Sequence, residues 1–356
     1  MKKITLLAIT IASISLGACN KNDDTVTDNF ETLKTEVLAD FTNVVAVKGY
    51  ADLDNAASAL NTAIQNLNTN ATEANLTEAK NAWKNMRSIW EKCEGYLFGP
   101  VEDNDFDPNM DTWPTDYVQM DSLLASSNPL TVADIQNITL SLRGYHPIEY
   151  IIFGDHGSRT AASITARQKA YMVSLSTDLK NTCHELYLSW TAAPTNFAQQ
   201  VINAGNGSAV YAKKQEAYLA IVEAMIGICD EVGEGKMKEP YVAMDPAIVE
   251  SPYSGNSVSD FRDNIIGLQN VYLGNLGTAN GKGINDLVAA KNISLDNKIQ
   301  NQISAAINSF NNITVFYEEA IISQRIQCQQ TMAALATLKT TLEDELKPFI
   351  IQNIQD

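Results

Sequence analysis

Hydrophobic positions recur along this chain at intervals of three and four. Over residues 28–47, Phe30, Leu33, Val37, Leu38, Phe41, Val44 and Val45 fall on one helical face, and Leu53, Ala56, Leu60 and Ile64 repeat the pattern over 53–67. Asn68 to Ala71 interrupts it, and a longer amphipathic helix is predicted from Thr72 to Phe98, closed by Gly99-Pro100. These three segments read as antiparallel helices with short connections. Further helices are predicted at 131–142, opened by a Thr cap, and at 160–190, with Tyr171, Leu175, Leu179, Leu186 and Trp190 on the apolar stripe. In the second half they are predicted at 211–232, closed by Gly233 and Gly235, at 258–273, closed by Gly274, and at 295–321 and 325–351. No sustained period-two run rich in Val, Ile and Thr occurs, so the expected class is all-α.

The layout repeats. Residues 100–130 and 236–253 are irregular, Pro-punctuated connections at matching places, and 194–208 is a Gly- and Asn-containing linker. The expectation is two tandem up-and-down bundles from a duplication, over 29–193 and 194–356. Ahead of them, Lys2, Lys3 and the apolar run 4–16 read as an export signal over 1–18. Leu16-Gly17-Ala18-Cys19 reads as a lipobox, which makes Cys19 the expected lipidation site and 19–28 a flexible tether. The expected location is the outer membrane, by lipid anchor only. Lys21 with Asp23-Asp24 resembles a surface-export signal, so both the periplasmic and the outer face stay open.

A formal net charge of −17 disfavours nucleic acid and anionic lipid as partners. Cys93, Cys183, Cys229 and Cys328 lie in helical patterns without a C-x-x-C pair, which argues against a zinc–cysteine site, and in an exported chain buried free thiols are expected over disulfide bridges. The aspartates at 103, 105, 107, 111, 116 and 121 alternate as in a calcium loop but lack its central Gly and closing Glu.

Among the three histidines, His146 stands three residues before Glu149. On a helix this spacing puts both on one face, where they can ligate a metal ion or pair as acid and base. The alternative is a capping box, with Pro147 at the first helical position, His146 as the cap and Glu149 reaching back. Trp83, Arg87, Trp90 and Glu94 share one face of their helix, so a buried Arg87 needs a carboxylate partner, for which Glu91, Glu94 and Glu149 are candidates. His156 reads as a loop residue and His184 as structural or surface.

Gly144-x-His146-x-x-Glu149 resembles the signature of the imelysin-like family. Trp83-x-x-x-Arg87-x-x-Trp90-Glu91-x-x-Glu94 with Phe98-Gly99-Pro100, Asp111-Thr112-Trp113-Pro114, and Tyr253-Ser254 through Asp260 to Tyr272-Leu273-Gly274 agree with it. The resemblance spans roughly residues 30 to 350 and implies a pair of helical bundles. At the place of the His–Glu pair the second half offers Ser254, Asp260 and Asn264, none a strong metal ligand.

Three readings follow. The resemblance implies a lipid-anchored protein that binds iron, or an iron-bearing small ligand such as haem, for uptake with an outer-membrane partner. His146, Glu149, Glu94 and Asp111 would meet between the bundles, supported by Arg87, Trp113 and Ser254. The family's name implies a zinc metallopeptidase instead, but no H-E-x-x-H is present, and the third ligand and the base stay unassigned. A non-catalytic scaffold, with the His–Glu pair as a cap, is the third.

Overall fold

A computed structural model describes residues 24–355, and the fold is all-α. The expected signal 1–18, Cys19 and the start of the 19–28 tether lie outside the described residues, and a helix already begins at Asp24. No helix among the described residues is long and apolar enough to cross a membrane.

The two helices predicted over 28–47 and 53–67 are one continuous run: Asp24–Asp40, a π-helical stretch Phe41–Ala46, then Val47–Thr69. The buried positions explain why. Val37, Phe41, Val45, Gly49 and Leu53 are spaced by four, which on an α-helix drifts by about 40° per step. The wider π turn absorbs the drift and keeps the stripe facing inward.

The Glu73–Cys93 helix starts at Thr72, whose hydroxyl accepts the Asn75 amide at 3.3 Å, and ends in a 3-10 turn Glu94–Tyr96. It packs on the Val47–Thr69 helix, as does the Ala166–Thr191 helix, which opens with a Thr165/Gln168 capping box. The helix predicted over 131–142 is only a capped turn, Val132–Ile135, and a 3-10 turn, Leu140–Leu142. Asn137 and Thr139 favour turns over helix, and burial of Leu142 fixes the corner.

In the second half the Lys214–Asp230 helix does not stop at Gly233 and Gly235. It runs on through a π segment, Glu231–Lys238, into Glu239–Ala243, where Pro240 occupies the first turn and needs no hydrogen-bond partner. The Ser257–Leu273 helix ends at Gly274 as expected and leads into a two-residue hairpin, Asn275–Leu276 with Ala279–Asn280. The helix predicted over 295–321 breaks after Ser309, where Phe310 and Ile313 turn into the core, and restarts at Tyr317–Ser323.

The halves meet backbone to backbone. The Ser257–Leu273 helix lies against the Glu73–Cys93 helix, and a Cβ at Gly267 would sit 2.2 Å from the Lys92 carbonyl oxygen. Buried apolar residues from Val37 to Ile354 form one continuous core. Cys93, Cys183, Cys229 and Cys328 are buried free thiols within it.

Candidate metal centre

The His–Glu pair sits where the halves meet. Gly144, at φ 76°, caps the Tyr145–Phe153 helix, so His146 lies inside the first turn and does not cap it. An added Cβ at Gly144 would stand 1.9 Å from the Met110 carbonyl oxygen. This close approach presses the helix start against the segment carrying Asp111. The capping-box alternative is therefore overturned. Glu149 does not reach back to the amides at the start of its own helix; its Oε1 accepts the backbone amides of Tyr253 (3.2 Å) and Ser254 (2.8 Å) and the Ser254 hydroxyl (2.7 Å). Its Oε2 faces His146 Nδ1 at 3.4 Å.

That contact orients the ring. With Nδ1 turned to Glu149, His146 Nε2 is aimed at Asp111, 3.0 Å from Oδ1 but out of line for a hydrogen bond. It is a buried ring nitrogen without an aligned hydrogen-bond partner, and the Glu250 carboxylate oxygen Oε2 nearby likewise lacks one. Asp111, His146 and Glu250 each offer a ligand atom within 4.8 Å of the others. A carboxylate that fixes one imidazole nitrogen so that the other is presented is the usual arrangement behind a metal-bound histidine.

Around this trio lies an acidic chamber. Glu91, Glu94, Asp111, Glu149, Glu250 and Asp260 are all buried, against two fixed cations, Arg87 and Lys236. Arg87 pairs with Glu91 and Asp111, lies 3.2 Å from Glu250 and 3.9 Å from Asp260, and stacks 4.9 Å over the Tyr145 ring. Lys236 Nζ contacts Glu94 at 2.8 Å, Glu250 at 3.1 Å and Glu91 at 3.3 Å, and lies 5.6 Å from the Trp113 ring. Trp90 Nε1 donates to Asp111 Oδ2 at 2.7 Å, and Asn264 Nδ2 donates to Glu91 Oε2 at 2.6 Å. Asp260 accepts from the Ser251 hydroxyl at 2.7 Å.

The electrostatics follow from this imbalance. Burial opposes ionisation of Asp111, but Arg87 and His146 outweigh it and hold the carboxyl well below the usual range. Burial also opposes a charged His146, yet Asp111 and Glu149 lift it to about 9. Glu250 goes the other way: burial pushes it up to about 7 despite Lys236 and Arg87. Burial, with the charge of Glu91 beside it, raises Glu94 as well. The chamber thus carries more carboxylates than its fixed cations neutralise, and protons make up the difference. The donor set, one imidazole with carboxylates, fits a hard or borderline divalent ion such as iron or zinc.

His146, Asp111, Glu94 and Arg87 come together as the sequence suggests, while Glu149 and Ser254 hold the ring and Trp113 flanks Lys236. Asp260 and Asn264 line the same chamber. His156, in an exposed turn, and His184, which meets Asp54 at 3.1 Å on the surface, stand apart. Sequence reasoning missed Glu250 and Lys236, both within the stretch 236–253 read as a connection. No periodicity marks Glu250; the run Glu231 to Lys238, with Glu231 and Glu234 followed by Lys236 and Lys238, was the available signal for a continued, charged helix.

The imelysin family's profile matches residues 46–348. Iron-regulated protein A of Synechococcus elongatus is 27% identical over 340 residues, which cover 94% of this chain and 90% of that protein. Among solved structures, an iron-regulated protein A precursor from Parabacteroides distasonis superposes with a TM-score of 0.83 at 23% identity, covering 91% of this chain and 96% of the other. An imelysin-like protein from Psychrobacter arcticum gives 0.72 at 14% identity, covering 90% and 96%. The solved structures share the fold, and the profile match over most of its length shows that this chain belongs to the imelysin family.

Proposed function

We propose that this protein binds iron, as the ion or in a small iron-bearing ligand, at the seam between its two halves, as an envelope lipoprotein anchored through Cys19 that serves uptake at the outer membrane. His146 Nε2, Asp111 and Glu250 are the protein ligands. Glu149, held by Ser254, keeps the imidazole turned, and Arg87 fixes Asp111. The observation that carries the reading is the pair of buried polar atoms without an aligned hydrogen bond, His146 Nε2 and Glu250 Oε2, in a chamber with more acids than bases. Such groups are costly to bury and are explained by a cation that joins them. The name of the cyanobacterial relative ties that protein to iron, which selects iron among the ions this donor set accepts.

Peptide hydrolysis fits less well. It needs an open ligand position that a peptide reaches, whereas His146 is 2% exposed and Glu149 fully buried. The same burial favours a bare cation over a haem. The test is metal analysis of tag-free protein after anaerobic incubation with Fe2+. One equivalent in the wild type, lost in His146→Ala and in Glu250→Gln, is expected. No retained iron in the wild type would sink the reading.

A further inference from the structure

We propose that Lys236 is the gate of this centre: a tethered cation that occupies a transit position between Glu91, Glu94 and Glu250 and cedes it to an incoming divalent ion. The proposal rests on the cation-binding reading above and adds the route and the device that controls it.

The ammonium sits as a metal ion would. It is fully buried, with carboxylate oxygens from three separate elements at 2.8, 3.1 and 3.3 Å and a fourth, on Glu231, at 3.7 Å. A converging shell of carboxylate oxygens is what a hard cation requires. The position adjoins the histidine centre, because Glu250 belongs to both shells and Glu91, Glu94 and Asp111 bring ligand atoms within 4.8 Å of one another.

A path leads there from outside. A groove of about 390 Å³ runs between the 94–102 segment and the Lys214–Asp230 helix. Its charged lining residues are Glu94, Glu102, Glu223 and Glu231, with small Ala220, Ala224 and Gly227 on the helix wall and no basic residue among them. Such a groove concentrates cations and repels anions. Two of its carboxylates, Glu94 at the buried end and the partly exposed Glu231, are the ones Lys236 touches, so the ammonium stands where the groove meets the chamber.

The two buried cations differ in their freedom to move. Arg87 is clamped by a planar fork on several carboxylates and by the Tyr145 ring. Lys236 carries a point charge on a flexible four-carbon stem, within a π segment of the kind that recurs at functional sites. Withdrawing Nζ from Glu94 towards Glu231 exchanges one carboxylate partner for another, so the charge is never buried alone. A divalent ion then supplies two charges where the ammonium supplied one.

Co2+ titration of the full chain tests the gate. Lys236→Met, similar in length but neutral, should bind Co2+ about tenfold more tightly than wild type, because the internal competitor is gone. Glu231→Gln should slow association several-fold with little change in equilibrium affinity. Equal or weaker affinity in a Lys236→Met chain with wild-type helical circular dichroism overturns the proposal. Should that variant fail to fold, reductive methylation of wild type read by mass spectrometry decides: Lys236 should be protected without Co2+ and labelled with it, and protection in both states overturns the gate. The two failures are distinguishable. Wild type that takes up no Co2+ removes the centre itself, whereas His146-dependent uptake with an unmoved Lys236 removes only the gate.

Discussion

The two halves of the molecule reach the same seam with different means. The first half presents its groups rigidly: Arg87 is forked between acids and stacked on Tyr145, Trp90 holds Asp111, and Gly144 pins a helix start against Met110. The second half contributes adaptable groups: the Lys236 ammonium, the Ser254 amide and hydroxyl, the Asn264 amide, and carboxylates that burial pushes towards neutrality. The difference shows how one site divides its labour. Geometry comes from the half that holds the imidazole, and charge adjustment comes from the half that faces it.

Arg87→Met attacks the rigid side most directly. Deleting one partner of a buried ion network leaves several carboxylates without a counter-charge, so a loss of about 4 kcal/mol is expected in urea unfolding. A loss below about 1 kcal/mol would show that Arg87 is not the clamp. On the adaptable side, Glu318 is buried with neither carboxylate oxygen aligned to a partner, and burial lifts it from 4.5 to about 7. Because the folded value lies above the unfolded one, the protonated form's contribution is complete below pH 4.5 and lost as pH rises through 7. Glu318→Gln should flatten this part of the stability–pH curve, by on the order of 3 kcal/mol across the window; parallel curves for the two proteins would contradict it.

Gly144→Ala returns to the rigid half. A methyl group forced onto the Met110 carbonyl at positive φ should cost about 2 kcal/mol. It should also weaken Fe2+ retention more than it lowers the melting temperature of the Lys214–Asp230 side, followed by hydrogen exchange. Ser254→Ala is the mildest. It removes one of three donors to Glu149 Oε1, and the two amides remain, so about 1 kcal/mol and a modest loss of metal affinity are expected. A complete loss of binding would mean that the facing half sets the geometry after all.

Periodicity made the helices legible because burial of one face dominates their sequence. It failed where a π turn restores a drifting stripe, as at Phe41–Ala46, and where glycines that usually end a helix sit inside one, as at Gly233 and Gly235. The site divided along the same line. His146 and Glu149 share one turn, and Arg87, Glu91 and Glu94 share one helix, so local spacing exposes them. Asp111 was found through its motif. Glu250 and Lys236 are brought in by tertiary packing across more than a hundred residues, and no local rule reaches that far. Ser254 too was found through its motif, but the backbone amides of Tyr253 and Ser254 that help hold Glu149 are offered by every residue type except proline and leave no mark on the sequence.

The grip of Tyr253 and Ser254 on Glu149 also sets an order of events during synthesis. When residues 29–193 have emerged, Glu149 and Arg87 still lack partners that lie past residue 236, so a polypeptide half made has no finished binding place. The carboxylate that orients the imidazole is itself secured only once residues 253 and 254 have docked. On the proposed reading, a half-made chain is thereby kept from trapping stray ions, and loading is deferred to the completed molecule.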